Sequence, residues 1–566
     1  MRLINTSTLQ FEEFYEPNLP DYVIVSHTWA SEEVNHQEFL CASQDAFIQN
    51  RAGYHKIKWS CRVAKESGHA YLWIDTCCID KTSAVELSEA INSMFRWYRG
   101  SAICYAYLAD VNESDMQQNP KDALKRCRWV SRGWCLQELI APANIMFYDK
   151  QWKPIGTKQQ FAEELSQATN VDVQVLHDSS CLNAIMVARR MSWAANRETA
   201  RLEDMAYCLM GIFDVNMPML YGEGSKAFSR LQQQIFGATH DLSIFAWFPN
   251  DSCDVRYLPM FAPSPKHFAS CADIELSDEI DLRLGSTIVG QAQFTMTQQH
   301  ILARSLALRI YEFPNFRCYG FSTNVSPGTT GNNMPIIFLK KVGPGLFVRF
   351  RPQSVDSKPI HWWPSGDDLV DIYQAPDPGL FGKFDACHAW AVRIGSISAP
   401  EGLRLSFDTP EPETRFDNSY LMFLSQGLLR FRCYLSIKLV SVSQPLERFI
   451  VACAIWRTGY EKRPNQVCAE HDDVVVQIKL IDAENWDNLP LGRRTYWRVT
   501  DALNYSEAGS FWNAGCRRQE LTLTQHRVTA TVIPTSFDGY PIFKLNFDIK
   551  ALKYNGSRSS QASTVE

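Results

Sequence analysis

Tyr22-Val23-Ile24-Val25-Ser26-His27-Thr28-Trp29 is the stretch that decides the fold. Its first four residues are a short, β-branched apolar run that ends abruptly in a polar and aromatic cluster. That is the pattern of a buried strand emptying into a loop. Tyr71–Ile74 repeats it, ending in Asp75 and followed by Cys77-Cys78-Ile79-Asp80. Ala102–Leu108 is a third such run, ending near Asp110, and Ile145–Tyr148 a fourth.

Helical patterns lie between these runs. From about Asn35 to Gly68 the pattern predicts a helix in two pieces broken near Gly53, with Phe39, Phe47, Ile57, Trp59, Cys61 and Val63–Ala64 as apolar positions. Ser83 is placed to cap a helix to about Tyr98, with Glu86 at the capping-box position and Gly100 to stop it. Strands alternating with helices predict an α/β domain with a doubly wound parallel sheet and extra helices beyond the fourth strand. Ligands of such sheets bind outside the carboxyl ends of the strands. Ser26, His27 and Trp29 follow the first strand, Asp75 and Asp80 the second, and Asp110 the third, so one polar edge is the expected site. Each has a plainer reading: Ser26 and Asp75 as caps, His27 as a satisfied semi-buried ring, Trp29 as core.

Arg132-Gly133-Trp134-Cys135-Leu136-Gln137-Glu138-Leu139 adds a carboxylate. It reads as a short amphipathic helix with Ser131 as its cap and Pro142 near its end. Trp134 and Glu138, four apart, share a face, while Leu136 and Leu139–Ile140 form the apolar stripe. A site that stacks a flat ring and stabilises a cation uses both a Trp and a Glu.

At 566 residues the chain exceeds a single ordinary core, and one domain per ~150–250 residues predicts two or three. A net charge of −6 and a pI near 6.1 argue against nonspecific nucleic-acid binding. Glu12, Glu13 and Glu16 near the N-terminus are unlike a secretory leader, and no run approaches ~18 apolar residues, so an intracellular, cytoplasmic protein is expected. The 17 cysteines are scattered, with no C-x-x-C pair, and read as reduced, mostly buried thiols; no metal site is expected. Gly224-Ser225-Lys226 lacks the spacing of a phosphate loop.

Several blocks in order resemble a known family. Tyr22-Val-Ile-Val-Ser-His-Thr-Trp29, Trp73-Ile-Asp-Thr-Cys-Cys-Ile-Asp80, Arg132-Gly-Trp-Cys-Leu-Gln-Glu-Leu139, Arg201-Leu-Glu-Asp-Met-Ala-Tyr207 and Tyr221-Gly-Glu-Gly224 are similar to blocks of the fungal heterokaryon incompatibility (HET) domain. The opening Met1-Arg-Leu-Ile-Asn-Thr6 is also similar to the start of many such proteins. The resemblance covers roughly residues 1–235. HET domains are held to be remote relatives of TIR domains, in whose enzymatic members a Glu after a Trp-Cys pair cleaves the nicotinamide–ribose bond of NAD. It therefore implies a TIR-like fold with Glu138 as the catalytic carboxylate.

By position, Ser26, His27, Trp29, Asp75 and Trp134 are expected to bind substrate. Trp29 or Trp134 would stack a ring, and His27 would meet a phosphate or place a water. Loss of nicotinamide leaves oxocarbenium character at the ribose, which a carboxylate stabilises. With no G-x-G-x-x-G after the first strand, NAD would be substrate and not a bound redox cofactor.

Beyond about residue 240 the period changes to two. Leu429, Phe431, Cys433, Leu435, Ile437 and Leu439 alternate with Arg430, Arg432, Tyr434, Ser436 and Lys438; Val474–Leu480 and Val528–Val532 do likewise. Residues 236–554 are thus expected to form a mainly antiparallel β domain, sandwich- or barrel-like, with a disordered tail at 555–566. Asp241–Trp247 and Leu258–Pro265 resemble the segment that follows the HET domain in many family members. The resulting expectation is a fungal incompatibility or immunity-type cell-death effector that self-associates or meets an incompatibility partner. The alternative is a non-enzymatic signalling module working through HET–HET contacts; a diverged, inactive copy is a third reading.

Overall fold

The computed structural model describes residues 1–249, and further segments between 256 and 552 that are interrupted most widely at 277–292, 352–360, 375–390, 458–473 and 483–517. Leu429 and the tail expected to be disordered at 555–566 lie outside the described residues. Two compact units are present. The first holds Met1–Val255, Pro259–Ile288 and Phe321–Ile337; the second holds Arg256–Leu258, Val289–Gly320 and Phe338–Glu566.

The first unit is built on a seven-stranded sheet. Its strands are β1 (Arg2–Asn5), β2 (Phe11–Glu13), β3 (Tyr22–His27), β4 (Tyr71–Trp73), β5 (Ile103–Tyr107), β6 (Ile145–Tyr148) and β7 (Pro154–Thr157), in the order β2-β1-β4-β3-β5-β6-β7. The middle four run parallel, as the apolar runs predict. The sheet as a whole is mixed, because β1 and β2 at one edge and β7 at the other are antiparallel. These edge strands are short and only partly buried, so they lack the continuous apolar run that marks a buried strand. All six residues of β3 are buried between β4 and β5.

The chain steps from β3 to β4 in one direction along the sheet and from β4 across to β5 in the other. Right-handed crossovers then place the intervening helices α1 (Ala52–Glu66) and α2 (Ala84–Gly100) on opposite faces. The helical region expected as two pieces broken at Gly53 is instead three, His36–Cys41, Ala46–Gln49 and α1, and Gly53 lies inside the first turn of α1. A Cβ on Gly53 would stand 2.4 Å from the Glu32 carbonyl oxygen, so glycine there permits close packing of the 32–34 loop. Ser83 accepts from the Glu86 backbone N–H as expected, but the Glu86 carboxylate binds Arg2 and the Asp80 N–H, so the reciprocal arm of the box is not made.

Helix α3 (Cys135–Ile140) carries Glu138 and is buried on every side, so the expected amphipathic pattern is corrected: there is no wet face. Trp134, not Ser131, is its N-cap, and the Ser131 hydroxyl donates back to the Arg128 carbonyl. At the other end, buried Lys158 donates to the Leu139 and Pro142 carbonyls, a cation where unpaired carbonyls gather. Burial lowers this ammonium to about 8.

The second unit is β-rich and mainly antiparallel, with parallel pairing where Leu346–Phe350 meets Leu369–Tyr373 and where Val392–Ser398 meets Tyr540–Ala551. A four-stranded sheet around Arg430–Val440 and Glu447–Arg457 shares one core with a six-stranded sheet around His526–Phe537 and Tyr540–Ala551. Leu435, Ile437, Phe449 and Val451 from the first meet Val528, Ala530, Leu545 and Phe547 from the second, as in a sandwich. No helix among the described residues is long and apolar enough to cross a membrane.

Candidate functional site

Because β3 is central, its last residues emerge at the carboxyl edge with strands on both sides. Ser26 lies beside Ala106 and His27 beside Tyr107 of β5. The Ser26 hydroxyl is fully buried; it accepts from Trp129 Nε1 at 2.6 Å and donates to Glu138 Oε2. Glu138 is 7% exposed. Burial pushes its carboxyl up to about 7; Arg132, Ser26 and Cys135 pull downward, and the negative charge of Asp75 pushes further up. A carboxylate kept where its ionised form is costly is a candidate for proton-linked chemistry.

A second cluster adjoins it. His27 Nε2 lies 3.1 Å from Asp75 Oδ1, and Trp29 Nε1 donates to Asp75 Oδ2 at 2.8 Å. Burial works to raise the Asp75 carboxyl, but the His27 hydrogen bond and the charges of Lys81 and Arg132 hold it well below the usual carboxylate range. Lys81 Nζ sits 3.8 Å from the centre of the Trp29 ring and Arg132 Cζ 5.3 Å from it. Arg132 also donates to the His27 carbonyl at 3.2 Å. His27 Nδ1 faces Lys56 Nζ at 2.9 Å, and Lys56 is paired with Glu33 from the loop packed on Gly53.

The Arg132 segment is braced from residues distant in sequence. Gly133 N–H donates to the Glu198 carbonyl at 2.8 Å, Glu198 N–H to Ser131 at 2.7 Å, and Arg197 to the Arg132 carbonyl at 3.0 Å. A Cβ at Gly133 would stand 2.5 Å from Thr199 Cγ2. Downstream, Glu203 accepts from the Gly222 and Gly224 N–H groups, fixing the glycine turn with both residues at positive φ.

The structure thus brings Ser26 and Glu138 together, joins His27, Trp29 and Asp75, and links the two groups through Arg132. Trp134 is placed differently. It is half-buried and hydrogen-bonded to Asp204, which also accepts from the Tyr221 hydroxyl. Asp80 accepts from Gln37 and Thr82, and Asp110 from Cys127 and the Arg128 N–H, both in loop-fixing roles.

Trp129, Arg132, Lys56, Glu33 and Lys81 were not among the expected site residues. Two had a legible signal. Lys56 and Ser60, four apart, sit on the face of α1 that buries Tyr54, Ile57 and Cys61, and a lysine on a buried helix face calls for a partner. Arg132 heads the block that contains Glu138.

Residues 22–123 match the family model described as heterokaryon incompatibility protein (HET), a span holding Ser26, His27, Trp29, Lys56, Asp75 and Lys81 and ending before Trp129, Arg132 and Glu138. The chain is also 42% identical over 224 residues to the vegetative incompatibility protein HET-E-1 of Podospora anserina. That alignment covers 38% of this chain and 16% of the relative. No solved structure matches the chain. One part of the polar edge, from Ser26 to Lys81, thus lies within the matched span and the other, from Trp129 to Glu138, beyond it, and over residues 22–123 the chain carries a HET domain.

Proposed function

We propose that the HET domain hydrolyses the nicotinamide–ribose bond of NAD, with Glu138 as the catalytic carboxylate, and that this activity serves an incompatibility-type cell-death response. The observation that carries the reading is Glu138 itself, a buried carboxyl pushed up to about 7 at the carboxyl edge of a parallel sheet. The order β4-β3-β5-β6, with the first parallel strand inside the second, supports a TIR-like fold. The incompatibility role rests on the family match and on the named relative.

In this mechanism the C–N bond breaks with its electron pair passing to the cationic ring, so nicotinamide leaves neutral and needs no proton. The ribose is left with oxocarbenium character, which ionised Glu138 and Asp75, whose carboxyl is held well below the usual range, stabilise. Water adds at the anomeric carbon, and its proton passes to Glu138, whose affinity near neutrality suits a general base. The products are ADP-ribose, nicotinamide and a proton. Cations already lie over the Trp29 ring, so a base stacks there only after Lys81 or Arg132 has withdrawn.

The second reading, a non-enzymatic signalling module, also has an observation behind it: Glu138 is 7% exposed and Oε2 is already taken by Ser26, as in a structural carboxylate. Nicotinamide release from NAD, followed by chromatography on the full chain at high concentration with a crowding agent, separates the two. Release by the native chain and none by Glu138→Gln supports the enzyme. No release from either folded protein favours the module, and equal release from both removes Glu138 from the chemistry.

A further inference from the structure

Lys56 is 8% exposed, and its ammonium has two side-chain partners: the Glu33 carboxylate and His27 Nδ1 at 2.9 Å. Glu33 is ion-paired with this group, and an ammonium carries three N–H donors and no acceptor. A ring nitrogen facing it at that distance therefore presents its lone pair. The imidazole proton sits on Nε2, which donates to Asp75 Oδ1 at 3.1 Å, while Asp75 Oδ2 accepts from Trp29.

We propose that Lys56 is a positioning residue that fixes His27 as the neutral Nε2–H tautomer, and through that ring holds Asp75 in place as an anion. The opposite tautomer has ready partners, because the Thr28 carbonyl lies 3.3 Å from Nδ1 and Glu33 Oε1 3.9 Å from it. In it, however, the Nε2 lone pair would face the Asp75 carboxylate, and Nδ1–H would face an ammonium. Lys56 decides between the two, and Gly53 admits the loop that supplies Glu33. Glu33, Lys56, His27, Asp75 and Trp29 form one line of donors and acceptors, in which His27 acts on Asp75 and not directly on substrate. Which nitrogen carries the proton is set by the hydrogen bond at the other.

The inference concerns the site proposed for NAD cleavage, but its test reads the ring and not turnover, so the two readings fail separately. The full chain is labelled with ¹⁵N-histidine, and the His27 signal among the 12 histidines is identified by its loss in His27→Gln. The expected spectrum at neutral pH has a bare, pyridine-type Nδ1 and a protonated Nε2. Lys56→Met, which keeps the stem and removes the donor, is expected to shift the ring to Nδ1–H or to the imidazolium. Lys56→Arg, still a donor without an acceptor, is expected to keep Nε2–H. A native ring carrying its proton on Nδ1, a native imidazolium, or a ring unmoved by Lys56→Met overturns the proposal. Should Lys56→Met not fold, the native spectrum together with Lys56→Arg decides it.

Discussion

The Ser26 hydroxyl donates to Glu138, 112 residues away, while accepting the Trp129 indole N–H at 2.6 Å. One small side chain at the end of a central strand thus orients the candidate carboxylate and satisfies a buried donor.

Ser26→Ala removes both functions. The Trp129 N–H is left buried without an acceptor, a cost of about 1–3 kcal/mol, read as a lower unfolding midpoint. Glu138 also loses a bond that favours its ionised form, so its carboxyl moves further up. A variant as stable as the native chain would show that the Ser26–Trp129 bond contributes nothing.

Glu138→Gln is expected to stabilise the protein, but only where the native carboxyl is ionised. The folded carboxyl titrates at about 7 against an ordinary 4.5, so the folded state binds this proton more tightly than the unfolded chain. Stability contributed by the native group is therefore full below about 4.5 and lost as pH rises through 7. The glutamine variant should gain at most roughly 3 kcal/mol at pH 8, with no gain near pH 4. Unfolding at both pH values checks the sign.

If Glu138 acts as a base, NAD cleavage should rise with pH through about 7 as the carboxyl ionises. Arg132→Met removes a positive charge that pulls this group down, so the rising limb moves to higher pH. At pH 7, where the native group is half ionised, the rate falls by about fivefold for the first unit of that movement and about tenfold for each further one. A limb that stays in place would separate Arg132 from the titration of Glu138.

Gly133→Ala should cost about 1–3 kcal/mol through overpacking, since its Cβ would stand 2.5 Å from Thr199 Cγ2 and 3.2 Å from Cys208 Sγ. Because Gly133 adjoins Arg132, the limb of the pH profile should also shift. Adding Thr199→Ser, which removes that methyl, should recover most of the stability.

The sequence by itself determined the parallel strands, and with them the edge where Ser26, His27 and Asp75 emerge. Strands buried on both faces carry an unbroken apolar run, and that signal is local in the chain. It also determined the second unit's alternating strands at Cys433–Leu439 and Val528–Val532, whose inward residues share one core. The tertiary structure alone decided that β1, β2 and β7 extend the sheet at its edges, since short, partly buried strands have no such signature.

Tertiary structure also decided the site's electrostatics. Ser26 meets Glu138, Lys56 meets His27, and Trp134 faces Asp204 although its four-residue spacing pairs it with Glu138. Residue spacing fixes which side chains share a helix face, but a carboxyl's proton affinity depends on what surrounds it in space. For Glu138 and Asp75, those surroundings arrive from three separate stretches of chain, residues 26–29, 75–81 and 129–138.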